Sequence, residues 1–208
     1  DYFYELCDQY GVLVWAEIPF VNDIGGEGSY EAPDETRAAF FETTRVQLKE
    51  LIRQQINHPS IVVWGIHNEV FPRHESVMLP FCEVLANLCR SEDGTRLVTQ
   101  ATANASTPTW GGSELICTNL YPGFYYGKYT ELTNYINTFR SQVGGRPVGI
   151  SEYGCGANYE HHCEDYPAAV CSSGDYYEYE EYQSEAHESY LDQINRMDYL
   201  WCTFVWNM

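Results

Sequence analysis

The sequence is poor in basic residues, and this scarcity limits what the protein can bind. Lysine and arginine together number 11 against 30 aspartates and glutamates, which gives a net charge of −19. Nucleic-acid binding needs basic side chains that neutralise phosphates, and an anionic membrane surface attracts a similar basic patch. We therefore expect neither nucleic acid nor membrane as a partner, and a neutral or cationic ligand fits the charge better.

Three other patterns are missing from the sequence. No run approaches the ~18 consecutive apolar residues of a transmembrane helix, and no basic stretch followed by an apolar one marks a signal peptide. No glycine-rich loop follows an apolar run, so a nucleotide-binding α/β fold has no support. The chain also starts without Met inside a helix-like segment and stops directly after a strand-like one, so we expect a piece of a longer protein.

The eight cysteines do not suggest a complete disulfide framework. Three of them, Cys155, Cys163 and Cys171, share one loop, and pairing there would imply an oxidising compartment. That loop and the glycosylation triplet "NAS" at 104–106 favour a secreted or periplasmic location over a cytoplasmic one. The other five lie in apolar context and are predicted to be small buried residues: Cys7, Cys82, Cys89, Cys117 and Cys202.

Short apolar runs alternate with amphipathic segments along the chain. Six runs are rich in β-branched or aromatic residues, as buried parallel strands are: 12–19, 61–69, 96–102, 115–122, 147–154 and 199–207. Helices are predicted between most of them, at 34–56, 75–90, 130–142 and 179–197. The alternation predicts an α/β fold, either an open doubly wound sheet or part of a (β/α)₈ barrel.

Polar residues at the ends of several different strands favour the barrel. In a TIM barrel the functional residues come from the C-terminal ends of many strands. Six parallel strands are two short of a full barrel, so the prediction is an incomplete TIM barrel that occupies residues 1–208 as a single partial domain. The strand-end residues are Glu17, His67, Asn68, Glu69, Asn119, Tyr121, Glu152, Tyr153 and Trp206.

Two of these strand-end residues are carboxylates, Glu69 and Glu152. A buried ionised carboxylate without a partner is costly, so each either pairs with an arginine, caps a helix, or performs chemistry. Two carboxylates across a cleft are the equipment for glycoside hydrolysis, in which one attacks the sugar and the other transfers a proton. Their separation, which the sequence leaves open, decides the outcome: about 5–5.5 Å gives retention of configuration, and about 6.5–9.5 Å gives inversion.

The motifs around both carboxylates resemble those of glycoside hydrolase family 2, most closely its β-galactosidase branch. They are "NHPSIVVWGIHNEV" (57–70), "RPVGISEYG" (146–154) and "YLWCTFVWNM" (199–208), and the opening residues 2–19 are also similar to that family. The resemblance implies strands three to eight of a catalytic barrel. The first two barrel strands, the N-terminal β-sandwich domains and the C-terminal regions would lie outside this chain. Alone, such a fragment would expose two sheet edges, so we expect it to be inactive and poorly folded.

The resemblance also implies roles for individual residues. Glu69 matches the family's acid/base and Glu152 its nucleophile, while Asn68 matches the asparagine that binds the sugar 2-hydroxyl. Tyr121 matches a tyrosine near the nucleophile, and Trp206 matches an aromatic residue that stacks on the sugar.

Glu17 falls where some relatives place a metal ligand or a site carboxylate. The histidine that accompanies it in magnesium-binding relatives is replaced by Pro19, so no metal ligand is predicted and no cofactor is expected to be required. His67 either contacts substrate or supports residues that do. His58 is predicted to be structural, and "HHCED" (161–165) is predicted to be a polar loop rather than a zinc site.

The predicted function is that of a retaining exo-β-galactosidase, which removes terminal β-D-galactosyl residues through a covalent glycosyl-enzyme. The alternatives are a β-glucuronidase or β-mannosidase of the same family, or a carbohydrate-binding relative without turnover. Recognition of glucuronate usually requires cationic side chains near the sugar carboxylate, and no lysine or arginine lies at the C-terminal end of a predicted strand. The expected partners are a β-galactoside or oligosaccharide, the rest of its own chain and, at full length, further copies in a homo-oligomer.

Overall fold

A computed structural model describes residues 2–22, 34–70, 75–103, 110–163 and 179–207. They fall into two compact units, Asp1–Thr102 with Ser106–Ile116, and Ala103–Ala105 with Cys117–Met208. Strands and helices alternate within both units, which confirms the predicted α/β class.

The first unit contains three parallel strands in the order β1-β2-β3. Ala16 pairs with Trp64, and Trp64 pairs in turn with Val98, so these three side chains belong to one row across the strands. The elements of this unit are α1 (Tyr2–Tyr10), β1 (Val14–Glu17), α2 (Asp34–Gln55), β2 (Ile61–Asn68), α3 (Glu75–Glu92) and β3 (Leu97–Thr102).

The second unit contains the remaining strands, of which β5 and β6 pair in parallel. Every strand and helix predicted from the sequence is present, with ends that differ by a few residues. The elements are β4 (Ile116–Asn119, its first residue assigned to the first unit), α4 (Leu132–Gln142), β5 (Val148–Tyr153), α5 (Glu180–Ile194) and β6 (Leu200–Val205), with a 3₁₀ turn at Tyr129–Glu131 before α4.

The core of the first unit lies between its sheet and the helices α2 and α3. Leu48 and Ile52 of α2 and Leu85 of α3 are completely buried against Trp64 and Ile66 of β2. Full burial of a side chain of this size contributes roughly 1.5–3 kcal/mol. Leu48 and Ile52 lie one helical turn apart, so a single apolar face of α2 packs on the sheet.

The start of β2 is held by a polar network around Asp93. This carboxylate accepts hydrogen bonds from Trp64 Nε1 (3.0 Å), from Thr95 N (2.8 Å) and Oγ1 (2.5 Å), and from Arg96 (2.7 Å). Burial opposes its charge, but the bonds from Thr95, Arg96 and Trp64 outweigh that effect and hold the pKa of Asp93 well below its usual range. Asp93 is 4% exposed, so this network stabilises the interior of the first unit.

Arg96 extends this network to the backbone that leads into β2. Its guanidinium donates to the carbonyls of Ile56 (3.0 Å), His58 (2.9 Å) and Ile61 (2.7 Å). His58 Nδ1 lies 2.6 Å from Asp8 Oδ2, at hydrogen-bond distance. His58 thus fixes the turn before β2, in agreement with its predicted structural role.

The cysteines of the described residues are all free thiols. Cys7, Cys82, Cys89 and Cys117 are buried, as predicted, whereas Cys202 is partly exposed. Burial raises the pKa of Cys82 and Cys89 to about 12, which leaves them as unreactive core residues. Cys171 lies outside the described residues.

Among the described helices, none combines the length and the apolar character that crossing a bilayer requires.

Candidate active site

The predicted site residues are divided between the two units. Glu17, His67, Asn68 and Glu69 belong to the first unit, and Tyr121, Glu152 and Trp206 belong to the second.

Glu69 is the first residue after β2, and its backbone has φ +49°. Side chains other than glycine, asparagine and aspartate rarely adopt this left-handed region. The conformation is held by the Glu69 N–H, which donates to the Ala101 carbonyl at 2.9 Å. Strained backbone of this kind concentrates at functional sites, and Glu69 is half-buried.

Asn68 is hydrogen-bonded through its backbone to the segment that follows β1. Its N–H donates to the Phe20 carbonyl (2.9 Å), and its own carbonyl accepts from the Asn22 N–H (3.2 Å). These bonds continue the pairing of β1 and β2 beyond the end of β1. The backbone on both sides of the Asn68–Glu69 pair is therefore fixed by neighbouring chain.

Glu17 packs against β2 at a position that has no side chain. Its Oε2 accepts a hydrogen bond from Trp15 Nε1 at 3.0 Å. A Cβ atom at Gly65 would lie 2.2 Å from that indole nitrogen and 2.6 Å from Glu17 Oε2. Glycine at position 65 is thus what allows Trp15 and Glu17 to lie over β2.

His67 is completely buried, next to Phe20. The two ring centroids are 6.2 Å apart and the rings are nearly perpendicular. This environment fits the supporting alternative for His67 better than direct contact with substrate.

In the second unit, Tyr121 contacts Glu152 directly. The phenol of Tyr121 donates to Glu152 Oε2 at 2.5 Å. The backbone of the two segments is also joined, because Leu120 N donates to the Glu152 carbonyl at 2.8 Å. Hydrogen bonds to a carboxylate stabilise its charged form, so this geometry suits a carboxylate that acts as a nucleophile.

A second contact between the same strand ends was missed by the sequence analysis. Ser151 Oγ donates to Asn119 Oδ1 at 2.6 Å, and Asn119 is almost completely buried. The sequence places Asn119 at a strand end but predicts no role for it. The signal was its polar side chain in an apolar run, which is a sign that a partner exists.

Trp206 follows β6, and its backbone N–H donates to the Tyr153 carbonyl at 2.9 Å. Trp206 is 56% exposed. An exposed, backbone-anchored indole is suited to stacking on a sugar ring.

No group of three or more metal-ligating side chains occurs among the residues that the structure describes. In the "HHCED" segment, His162 Nδ1 lies 3.0 Å from Glu181 Oε1, and Cys163 N donates to Glu181 Oε2 (3.1 Å). Its bond to Glu181 raises the pKa of His162. The described part of this segment is therefore attached to the first turn of α5, as a polar loop would be, while residues 164 and 165 lie outside the described residues.

Strand-end carboxylates on an α/β scaffold are an arrangement that glycoside hydrolases use, and comparison with known proteins identifies the family. The family model of the glycosyl hydrolases family 2 TIM barrel domain matches residues 1–207. The chain is 35% identical over its whole length to a β-glucuronidase of Bacteroides fragilis, of which it spans 29%. The chain therefore belongs to glycosyl hydrolase family 2 and forms part of its TIM barrel domain.

Solved structures agree with this assignment. A crystal structure from Bacteroides fragilis, provisionally named a β-galactosidase, superimposes with a TM-score of 0.85 at 31% identity, over all of this chain and 29% of the other. A Bacteroides uniformis β-glucuronidase, covalently bound to a cyclophellitol-6-carboxylate aziridine, gives a TM-score of 0.83 at 28% identity, over all of this chain and 25% of the other. The predicted incomplete TIM barrel is confirmed.

Proposed function

We propose that this chain carries the catalytic residues of a retaining, exo-acting β-glycosidase, with Glu152 as nucleophile and Glu69 as acid/base. The observation that supports this most directly is the 2.5 Å hydrogen bond from the Tyr121 phenol to Glu152 Oε2, at the end of the "VGISEY" strand. A phenol in this place orients the carboxylate by holding one of its oxygens. Family membership makes hydrolysis of a glycosidic bond the reaction to test.

The proposed reaction has two steps. In the first, the Glu152 carboxylate forms a bond to the anomeric carbon while the glycosidic bond breaks, and Glu69 gives its proton to the departing oxygen. In the second, Glu69 takes a proton from water, and that water displaces Glu152 from the sugar. Two inversions at the anomeric carbon leave its configuration unchanged.

The other predicted residues would bind the sugar. Asn68, fixed through its backbone to Phe20, would hydrogen-bond the 2-hydroxyl, and the exposed indole of Trp206 would stack on the ring. Glu17 would contribute a second polar contact, and His67, which is buried, would support the Asn68–Glu69 segment from below.

The identity of the sugar is the finer question, and the sequence alone predicted a β-galactoside. The names of the relatives favour a β-glucuronide instead, since the Bacteroides fragilis relative is a β-glucuronidase and the Bacteroides uniformis one holds a carboxylate-bearing inhibitor. We therefore propose a terminal β-D-glucuronide as the first substrate to test and a β-D-galactoside as the second.

A nitrophenyl glycoside panel, assayed with the intact protein that contains this chain, tests the proposal. The nitrophenyl β-glucuronide and β-glucoside differ only at C6, and the β-galacturonide and β-galactoside form a second matched pair. A strong preference for the glucuronide supports the first substrate, and a preference for the galactoside supports the second. Hydrolysis of none of them, nor of the β-mannoside, would favour a carbohydrate-binding relative without turnover.

Trapping with the 2-deoxy-2-fluoro derivative of the preferred sugar identifies the nucleophile. The fluorine slows both steps, and an activated leaving group such as dinitrophenolate keeps the first step the faster one, so that the glycosyl-enzyme accumulates. Peptide mass spectrometry should place the label on the peptide that contains Glu152, and the Glu152→Gln variant should take up none. A label on any other peptide would refute the assignment.

A further inference from the structure

We infer that Tyr182 and Tyr190 of α5 are positioning residues for the nucleophile Glu152, acting through the segment that carries Tyr121. This inference rests on the proposed function of Glu152. The segment, residues 120–125, follows β4 and is here called the β4 loop.

The two tyrosines donate hydrogen bonds to consecutive carbonyls of the β4 loop. Tyr190 OH donates to the Pro122 carbonyl and Tyr182 OH to the Gly123 carbonyl, both at 2.5 Å. These are the two residues directly after Tyr121. Both phenols are buried, Tyr190 completely, so the bonds are shielded from water and correspondingly strong.

Gly123 explains why the loop comes so close to its neighbours. Its φ is +91°, and a Cβ atom there would lie 2.5 Å from the Tyr129 N atom. Tyr129 is itself bound to α5, because its phenol donates to Glu185 Oε1 at 2.6 Å. Helix α5 therefore holds the chain after Tyr121 at Pro122, Gly123 and Tyr129.

The same helix also holds the chain after Glu152. His187 Nε2 accepts from the Cys155 N–H (3.1 Å), and Gln183 Nε2 donates to the Cys155 carbonyl (2.8 Å). Cys155 Sγ also lies 3.2 Å from Tyr190 OH. Tyr190 thus contacts the segments on both sides of the Tyr121–Glu152 hydrogen bond.

This arrangement fixes the relative placement of the phenol and the carboxylate. The Tyr121–Glu152 bond is 2.5 Å long, and it would be lost if a shift of the β4 loop carried the phenol beyond about 3.0 Å or out of line with the carboxylate oxygen. The carboxylate would then rotate more freely and would be protonated more readily, since it would lose a donor that favours its charged form. Misplacement of a reacting group by 1 Å can cost a factor of about 100 in rate.

The test uses Tyr182→Phe and Tyr190→Phe in the intact protein, each alone and combined with Tyr121→Phe. Tyr199→Phe is the matched control, because its phenol makes a similar bond (2.7 Å to Asn137 Oδ1) away from the β4 loop. Tyr182→Phe and Tyr190→Phe should each lower kcat/KM by about 3- to 10-fold, the rate equivalent of one hydrogen bond. The acidic limb of the pH profile of each of these two variants should also move to higher pH. The Tyr199→Phe control should match the wild type in kcat/KM and in its pH profile.

The double variants separate positioning from general destabilisation. If Tyr182 and Tyr190 act through Tyr121, their replacement should have little further effect once Tyr121 is Phe. Full additivity, or a lower melting temperature with an unmoved acidic limb, would overturn the inference. If Tyr190→Phe does not fold, Tyr182→Phe decides the question alone. Wild-type protein that hydrolyses no glycoside would instead refute the proposed function.

Discussion

Replacement of Asp93 by alanine should loosen the start of β2, the strand that leads to Glu69. In the wild type, this carboxylate accepts one hydrogen bond each from Trp64 and Arg96 and two from Thr95. The variant would leave the indole N–H of Trp64, a residue with no exposed surface, without its acceptor. It would also leave the Arg96 guanidinium, whose side chain is 14% exposed, without its counter-charge.

The expected loss follows from these contacts. Removal of one partner from a buried ion pair costs about 3–5 kcal/mol. Arg96 would keep its bonds to the carbonyls of Ile56, His58 and Ile61, so we expect the lower end, about 3 kcal/mol. This corresponds to more than a ~100-fold increase in local opening.

Hydrogen exchange measured by mass spectrometry on peptides that cover residues 56–68 reports this opening directly. The matched control is Asp192→Ala, which breaks the Asp192–Arg196 pair, whose side chains are 64% and 74% exposed. An exposed pair of this kind contributes about 0–0.5 kcal/mol, so the control should exchange as the wild type does. Exchange of the Asp93→Ala variant within about threefold of the wild type would contradict the reasoning, since threefold is below 1 kcal/mol.

The same carboxylate gives a pH dependence with a defined sign. Because the pKa of Asp93 is depressed in the folded protein, its contribution is present above the ordinary carboxyl pKa of about 3.9 and is lost as the pH falls below it. Protection of residues 56–68 in the wild type should therefore decline in acid. The Asp93→Ala variant should lack that part of the decline, and an identical pH dependence in both proteins would show that Asp93 is not its source.

Two further predictions concern the strand ends of the first unit. Glu69→Ala should retain activity on substrates with good leaving groups and should recover rate when azide is added. Azide should attack the glycosyl-enzyme and release a β-glycosyl azide. An α-glycosyl azide would instead mean that azide attacks the substrate directly, and it would transfer the nucleophile role to Glu69. Gly65→Ala should destabilise the protein by about 1–3 kcal/mol through its clash with Trp15 and Glu17, as measured by the melting temperature. Gly94→Ala is its control, because the nearest atom to an added Cβ there is 3.8 Å away, and equal stability of the two variants would contradict the packing argument.

The strands, helices and buried faces were predictable because hydrophobic periodicity is a local property of the sequence. Leu48 and Ile52 lie on one side of α2 whatever the tertiary structure does, and that side had to be buried. The candidate carboxylates were recognisable for a related reason, since Glu69 and Glu152 end apolar strands in motifs that are specific to a family.

The contacts that hold these residues were not predictable in the same way. The bond from Tyr190 to the Pro122 carbonyl joins residues 68 positions apart, and its acceptor is backbone, which every residue carries. The place of Gly65 likewise depends on which side chains of β1 lie over β2, and a single sequence does not reveal that register. Periodicity identifies faces, whereas contacts between distant segments require the folded chain.

The left-handed backbone of Glu69 has an evolutionary consequence. A residue with a side chain costs roughly 1–2 kcal/mol in this region, whereas glycine adopts it freely. At this position, stability and the proposed catalysis therefore favour different amino acids. In a gene copy released from selection for activity, glycine, asparagine or aspartate would relieve this strain, so any of the three at this position would be consistent with a loss of the activity.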